Sequence, residues 1–321
     1  MKRCLLAAVL ATFVAASCTG AQGGGGGAGT TFAAQMASTW HWAGAPQRVE
    51  IGILASSADG VRTVSKGTID LSFDDLGPDG KGAPEPGPSV TAHYVPVPGT
   101  ITSGAGPTIE AGARGVYEAE DVTFDLAGIW RATIHATIDG VPRQLDTIFP
   151  VSQASRIPAP GQRALKTNNL TIDSKGVRPA AIDSMAEGGN AIPDPQLHRR
   201  TIADAIAKGR PALVLFGTPA HCESQFCGPE VTVLQGLAAD FHDRAVFIHI
   251  EIWKDYNATP QVVNKAAADW LLRTLPDGSP ELTDPWLYLI GANGRIADRW
   301  GPLFDVNEVE VALEALPRIQ R

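Results

Sequence analysis

The sequence is short of positive charge, of cysteine and, after its first residues, of long apolar runs. Lysine and arginine number 26 against 34 aspartates and glutamates, which gives a formal net charge of -8. The basic residues form no run or patch, and this argues against a nucleic-acid partner. No later apolar segment approaches the roughly 20 residues that a helix needs to cross a bilayer, so no membrane span is predicted after the N-terminus.

The first 17 residues have the pattern of a signal peptide. Lys2 and Arg3 precede an apolar run at residues 5–16, which is too short to span a bilayer. Residues 15–18 resemble the lipobox of bacterial lipoproteins, which implies that Cys18 carries a lipid. Residues 18–37 contain a glycine run and are predicted to form a flexible, lipid-anchored tether. The chain is thus expected on the extracytoplasmic side of a bacterial membrane; the alternative is a secreted protein with a poorly matched signal.

Cysteine is scarce enough for each of the 4 residues to be placed. Cys4 lies within the signal peptide and Cys18 would carry lipid, which leaves Cys222 and Cys227 as the thiols of the mature protein. Outside the cytoplasm such a pair is expected to be redox-linked. A disulfide that closes so short a loop removes little chain entropy, so the spacing favours a redox role over a structural one.

Residues 38–151 are predicted to form an all-β domain, because short alternating segments are separated by turn signals. Residues 127–130 resemble the start of a long strand in immunoglobulin-like modules of bacterial envelope proteins, which implies an immunoglobulin-like sandwich. His41, His93 and His135 lie in this half. Imidazoles can bind copper or zinc, but no two of these histidines are close in sequence and polar-face histidines are commoner than ligands. No metal site and no cofactor are predicted.

Residues 152–198 are proline-rich and are predicted to be a linker, followed by a second domain at 199–321. The unbroken apolar run at 212–216 predicts a strand buried on both faces, and apolar residues at helical spacing after 229 predict a helix. Further strands are predicted at 245–252, 284–290 and 296–300, and helices at 202–208, 260–275 and 307–316. His249 is expected to be a satisfied buried histidine within its strand rather than a base.

The cysteine pair lies between the first strand of this domain and the helix that follows. On one straight helix the two Cα atoms would be roughly 8 to 9 Å apart, whereas a disulfide needs less than about 7 Å. We therefore expect the helix to begin near Cys227, where Gly228 and Pro229 suit a first helical turn.

The order of these elements, the cysteine pair and Pro285 at the start of a strand resemble the thioredoxin fold over about residues 199–321. Residues 216–229 look like an extracytoplasmic redoxin group, lipoproteins with a β-sandwich in front. The resemblance implies a C-terminal α/β thioredoxin fold and a membrane-anchored thiol-disulfide oxidoreductase acting on thiols or disulfides of other envelope proteins. Cys222 would attack the partner disulfide and Cys227 would resolve the mixed disulfide. Pro285 would be cis and shape the groove for the partner.

Two other functions stay open, because the motif departs from that of thioredoxins. Four residues separate the cysteines instead of two, Glu230 stands where the second cysteine would fall, and residues 213–216 hold no buried acid. Atypical two-cysteine peroxiredoxins do show the longer spacing, and Thr218 with Pro219 resembles their Thr-Pro element. A thiol peroxidase is therefore the second hypothesis, with an activating arginine among Arg273, Arg295 and Arg299. The third is a non-enzymatic binding lipoprotein with an inert disulfide. The spacing argues against copper-delivery relatives.

Overall fold

The computed structural model describes residues 29–100, 105–222, 226–275 and 278–319. The predicted signal peptide, Cys18 and most of the predicted tether lie outside the described residues. None of the helices that are described is both long and apolar enough to cross a membrane.

The first half of the chain, residues 31–151, forms a single nine-stranded sheet in which all paired strands are antiparallel. Its strands are β1 (Thr31–Met36), β2 (Gln47–Ser57), β3 (Gly60–Ser65), β4 (Thr68–Asp75), β5 (Glu85–Pro96), β6 (Thr108–Glu110), β7 (Gly115–Val122), β8 (Gly128–Ile138) and β9 (Val141–Val151). The order across the sheet is β6-β3-β2-β7-β5-β4-β8-β9, and β1 pairs with β2.

Strand β1 corrects the predicted tether, which extended to residue 37. Thr31 lies opposite Ser56 and Met36 opposite Ile51, so the last part of that segment belongs to the sheet. The reason is the alternation of its side chains: Phe32, Ala34 and Met36 are partly buried against the core of the first half.

The sheet curls around its own core because alternate residues on one face are apolar. On β2 these are Val49, Ile51 and Ile53, and each is fully buried. At one end of the core, aromatic rings pack edge to face at centroid distances of 5.4 to 6.1 Å, as in Phe73–Phe124 and Phe73–Phe149. Burial of such a continuous apolar face is the main source of stability for this half.

The second half of the chain, from residue 152 onward, contains helices and a smaller, mixed sheet. Its elements are α1 (Ile202–Ala207), β10 (Ala212–Gly217), α2 (Cys227–Asp240), β11 (Val246–Glu251), β12 (Trp253–Asp255), β13 (Val262–Val263), α3 (Lys265–Leu271), β14 (Arg273–Thr274), β15 (Pro280–Glu281), β16 (Trp286–Ile290), β17 (Ile296–Trp300) and α4 (Val306–Glu314). The strand order in the mixed, four-stranded sheet is β11-β10-β16-β17, and within it only β10 and β11 run parallel to each other. Every residue of β10 is buried, as its apolar run predicts.

The predicted fold class, an immunoglobulin-like sandwich followed by an α/β thioredoxin fold, is wrong. The chain is mostly β, with 40% strand and 17% helix, and its main feature is the large curled antiparallel sheet. A sandwich needs two facing sheets, whereas β1 to β9 all belong to one sheet. Helix is scarce because α1, α3 and α4 have only 6, 7 and 9 residues. The proline-rich residues 152–201 add only short 3-10 turns.

Buried contacts join the two halves. Trp40, which precedes β2, packs in the core of the second half, and its Nε1 donates a hydrogen bond to Thr283 Oγ1 at 2.8 Å. Leu303 packs in turn against a cluster of valines from the first sheet, namely Val95, Val97 and Val116. These contacts position the segment before β16 that carries Pro285.

Candidate redox site

Cys222 and Cys227 form a disulfide at the junction of β10 and α2. Their Cα atoms are 6.0 Å apart, which is within the usual range for a disulfide. Helix α2 begins at Cys227, and this confirms the helix start that was predicted from the reach of the bond. The backbone N–H of Cys227 donates to Cys222 Sγ at 3.2 Å.

The two cysteines differ in exposure. Cys227 is fully buried, whereas Cys222 is partly exposed in the loop before the helix. A partner molecule can therefore reach the sulfur of Cys222 more easily than that of Cys227. This asymmetry suits one attacking thiol and one protected thiol.

Pro285 lies beside Cys227, and the peptide bond between Asp284 and Pro285 is cis. Gly217, the last residue of β10, lies between the two. A Cβ atom built on Gly217 would be 3.6 Å from Cys227 Cβ and 3.7 Å from Pro285 Cβ. Both distances are ordinary van der Waals contacts, so the end of β10 borders the disulfide and the Pro285 segment together.

Asp284 brings a carboxylate to the buried sulfur. Its Oδ2 lies 3.3 Å from Cys227 Sγ. The strand before the cysteines contains no acid. The acid comes instead from the segment before β16, 57 residues further along the chain. An aspartate next to the proline that opens a strand was the signal in the sequence, but its partner could not be deduced from it.

Glu230 is a second acid near the disulfide, one helical turn after Cys227 on α2. Its side chain is 1% exposed, and none of the described residues donates a hydrogen bond to Oε1. Burial first, and then the charges of Glu50 and Asp284, raise its pKa well above the ordinary value. In the sequence, Glu230 is distinguished only as the residue that stands in place of a cysteine, and its burial could not be deduced from that position.

The loop that carries Cys222 is fixed to the segment at Ser184–Gly189. Ala220 N donates to Ser184 Oγ at 3.1 Å. His221 Nε2 lies 3.1 Å from Glu187 Oε2, and its ring stacks on Tyr256 with 3.8 Å between centroids. These contacts hold the residue before Cys222 and so restrict where the exposed sulfur lies.

His249 contacts groups other than the sulfurs. Its Nε2 lies 3.1 Å from the carbonyl oxygen of Gly217, and its Nδ1 lies 3.4 Å from Asp183 Oδ2. Burial lowers the pKa of His249, but the hydrogen bond and charge of Asp183 outweigh burial, so the pKa lies above the ordinary value. The ring supports the end of β10 through Nε2 and is buried as predicted, whereas Nδ1 has no hydrogen-bond partner of good geometry among the described residues.

The residues that a peroxidase would use, Thr218 and the three candidate arginines, form hydrogen bonds with groups other than the cysteines. Thr218 Oγ1 is 3.4 Å from Ser184 Oγ. Each of the three candidate arginines donates hydrogen bonds to backbone carbonyls away from the cysteines: Arg273 to Trp270, Arg295 to Gly161 and Arg299 to Pro158. None of these contacts brings a donor to Cys222.

The three histidines of the first half do not form one site. His41 is buried and bonds to Gln47 and Ser38, His93 lies on β5, and His135 is exposed on β8. Within the described ranges, no group of possible metal ligands contains more than one of them.

A groove of about 510 Å³ opens beside Asp284 and Pro285. The second half contributes Phe226 and Leu282 to its lining, and the first sheet contributes Met36 and Leu54. The groove is therefore a shared feature of the two halves, and it adjoins the disulfide through Phe226, the residue before Cys227.

No family model, curated protein or solved structure matches this chain. Arguments about its function therefore depend on the geometry of the disulfide and its surroundings.

Proposed function

We propose that the protein is a thiol-disulfide oxidoreductase of the bacterial cell envelope, with thiols or disulfides of other envelope proteins as its substrates. The observation that carries this proposal is the asymmetric pair: a partly exposed Cys222 bonded to a fully buried Cys227, with the Asp284 carboxylate 3.3 Å from the buried sulfur. The resemblance of residues 216–229 to extracytoplasmic redoxin lipoproteins adds support.

Reduction of a partner starts from the dithiol form. The Cys222 thiolate attacks one sulfur of the partner disulfide, a bond forms between Cys222 and the partner, and the partner's other sulfur leaves as a thiolate. The Cys227 thiol then loses its proton and attacks Cys222 Sγ. The Cys222–Cys227 bond forms, the second partner thiolate leaves, and two electrons have passed to the partner. Oxidation of a partner dithiol is the same sequence in reverse.

Asp284 is placed to accept the proton of Cys227 in the second step, because its carboxylate is within hydrogen-bond distance of that sulfur. Burial raises the pKa of a thiol, so a buried resolving cysteine needs such a base. The raised pKa of Glu230 favours its uncharged form, and an uncharged Glu230 would repel the Cys227 thiolate less than a carboxylate would.

The groove beside Pro285 is suited to hold the partner segment whose cysteine meets Cys222. It is lined largely by apolar and uncharged side chains, with Arg114 and Asp284 as charged members. We assign Pro285 to the wall of this groove, and the residues from β1 and β2 to its opposite side. The lipobox-like residues 15–18 and the glycine run support anchoring through Cys18.

The test is the reduction potential of the disulfide, measured by equilibration with glutathione buffers. We expect a potential above about -300 mV, since structural disulfides lie below that value. Cys227→Ser should trap a mixed disulfide with partner proteins through Cys222, whereas Cys222→Ser should not. Asp284→Asn should slow the resolving step by at least about tenfold, and Asp240→Asn, at an exposed position of α2, is the matched control.

A potential in the range of structural disulfides, below about -300 mV, would overturn the proposal. Preferential alkylation of Cys227 in the reduced protein would reverse the roles of the two cysteines, and equal rates for Asp284→Asn and Asp240→Asn would remove the role of Asp284 alone. Oxidation of Cys222 that depends on peroxide and outpaces exchange with protein disulfides would favour the peroxidase hypothesis.

A further inference from the structure

A second group of ionisable side chains lies away from the disulfide, where α4 meets the first sheet. His93 is on β5, Glu118 and Glu120 are on β7, and Glu308 is on α4. His93 and Glu118 are register partners on neighbouring strands, and Glu118 and Glu120 share a strand face. One ligand atom from each of the four residues lies within 4.8 Å of the others.

Three carboxylate oxygens of this group have no hydrogen-bond donor among the described residues. Glu118 is 0% exposed, and none of the described residues donates to either of its carboxylate oxygens. Glu308 Oε1 is likewise without a donor within the described chain, while Oε2 accepts from Arg48 Nε and Trp300 Nε1. A buried carboxylate without a partner is costly. A positively charged ligand in the space between these oxygens would therefore offset the cost of burying them.

The surroundings do not supply enough positive charge. Arg48 contacts Glu308 at 2.6 Å, but it also contacts Asp298 at 2.9 Å. Glu50 adds a further buried acid next to Glu118. Carboxyl groups thus outnumber the guanidinium group at this place.

We propose that His93, Glu118, Glu120 and Glu308 bind one divalent transition-metal ion such as Zn²⁺ or Mn²⁺. An imidazole nitrogen combined with carboxylate oxygens suits these ions, whereas Ca²⁺ takes oxygen ligands alone. Because β5 and β7 belong to the first sheet and α4 belongs to the second half, the ion would link the two halves. This site is separate from the disulfide and does not depend on the function proposed for it.

The experiment uses the full chain, freed of metal and with the disulfide oxidised so that the thiols cannot act as ligands. Zn²⁺ and Mn²⁺ are titrated by calorimetry, and Mn²⁺ is also followed by the loss of its free-ion EPR signal. We expect one ion per chain and weaker binding of Ca²⁺. Glu118→Gln and His93→Ala should each weaken binding by at least about tenfold. Glu314→Gln, at an exposed position of the same helix, should bind as the unmodified chain does.

Thermal unfolding supplies an independent readout. The ion should raise the unfolding temperature of the unmodified chain and of Glu314→Gln, but not that of Glu118→Gln. His93 is partly exposed, so His93→Ala tests the site even if a change at the buried Glu118 prevents folding. Asp183, His198 and His249 form another group of possible ligands. Binding that is lost in His198→Ala but retained in His93→Ala and Glu118→Gln would overturn the proposal, as would the absence of stoichiometric binding.

Discussion

Replacing Trp40 should show how strongly the first half supports the redox site. Trp40 is 8% exposed and packs in the core cluster of the second half. Its Nε1 donates to Thr283 Oγ1, which also accepts a 2.9 Å hydrogen bond from Trp286 Nε1. Thr283 directly precedes Asp284, so Trp40 holds the segment that brings the carboxylate to Cys227.

The expected loss in the free energy of unfolding follows from the contacts that each replacement of Trp40 removes. Truncation of a buried tryptophan to alanine costs about 3 to 5 kcal/mol, and the low exposure of Trp40 places Trp40→Ala in this range. Trp40→Phe keeps most of the ring and removes the N–H donor, so its cost should be about 1 to 2 kcal/mol. Trp40 also has a φ of 65°, which costs an L-residue roughly 1 to 2 kcal/mol. Trp40→Gly avoids that cost and should be less destabilising than Trp40→Ala by about 1 kcal/mol.

Urea unfolding of the oxidised protein gives the free energy of unfolding for each variant. Leu126→Ala is the control, because Leu126 is 60% exposed and such changes stay within about 0.5 kcal/mol. The rate of disulfide reduction by a small thiol, measured on the folded variants, reports whether Asp284 has moved. A loss below about 1 kcal/mol for Trp40→Ala, or a Trp40→Gly protein less stable than Trp40→Ala, would refute this account of Trp40.

Two further predictions concern the anchor and the buried acid. Cys18→Ser should lose its lipid and move to the soluble fraction, and equal membrane retention of the variant would contradict the anchor. Because the pKa of Glu230 is raised in the folded state, this group makes the protein less stable as pH rises from its ordinary pKa toward the folded value. Glu230→Gln should therefore gain stability relative to the unmodified chain between pH 4 and pH 7, measured by urea unfolding, and an unchanged difference would show that Glu230 is ionised in the fold.

Local patterns in the sequence were enough to predict the elements that hold the cysteines. The apolar run of β10 indicated a strand buried on both faces, and the reach of a disulfide placed the start of α2 at Cys227. Both deductions use residues within a few positions of one another, where backbone geometry is decisive. The fit of Pro285 beside Cys227 came from the family resemblance instead.

The fold class and the acids at the site depend on contacts between distant residues. Alternation in β2 and β4 shows which face is buried, but it does not show whether a second sheet or the curled remainder of the same sheet covers that face. A helix was predicted at residues 260–275, but α3 covers only Lys265–Leu271, because Val262 and Val263 pair with β12 instead. Asp284 and Cys227 meet through the packing of β16 against β10, which no local pattern encodes.

The first sheet contributes to the redox site, since its residues contact the segments on both sides of the disulfide. Phe226, next to Cys227, packs against the cluster that joins Leu303 to Val95 and Val97. Trp40 reaches the other side through Thr283. A change in the position of Phe226 on reduction would therefore be transmitted to the sheet, because tightly packed clusters resist deformation. Under the proposed function, a partner in the groove between the halves would contact the sheet and the disulfide together, and the sheet would then take part in selecting the partner.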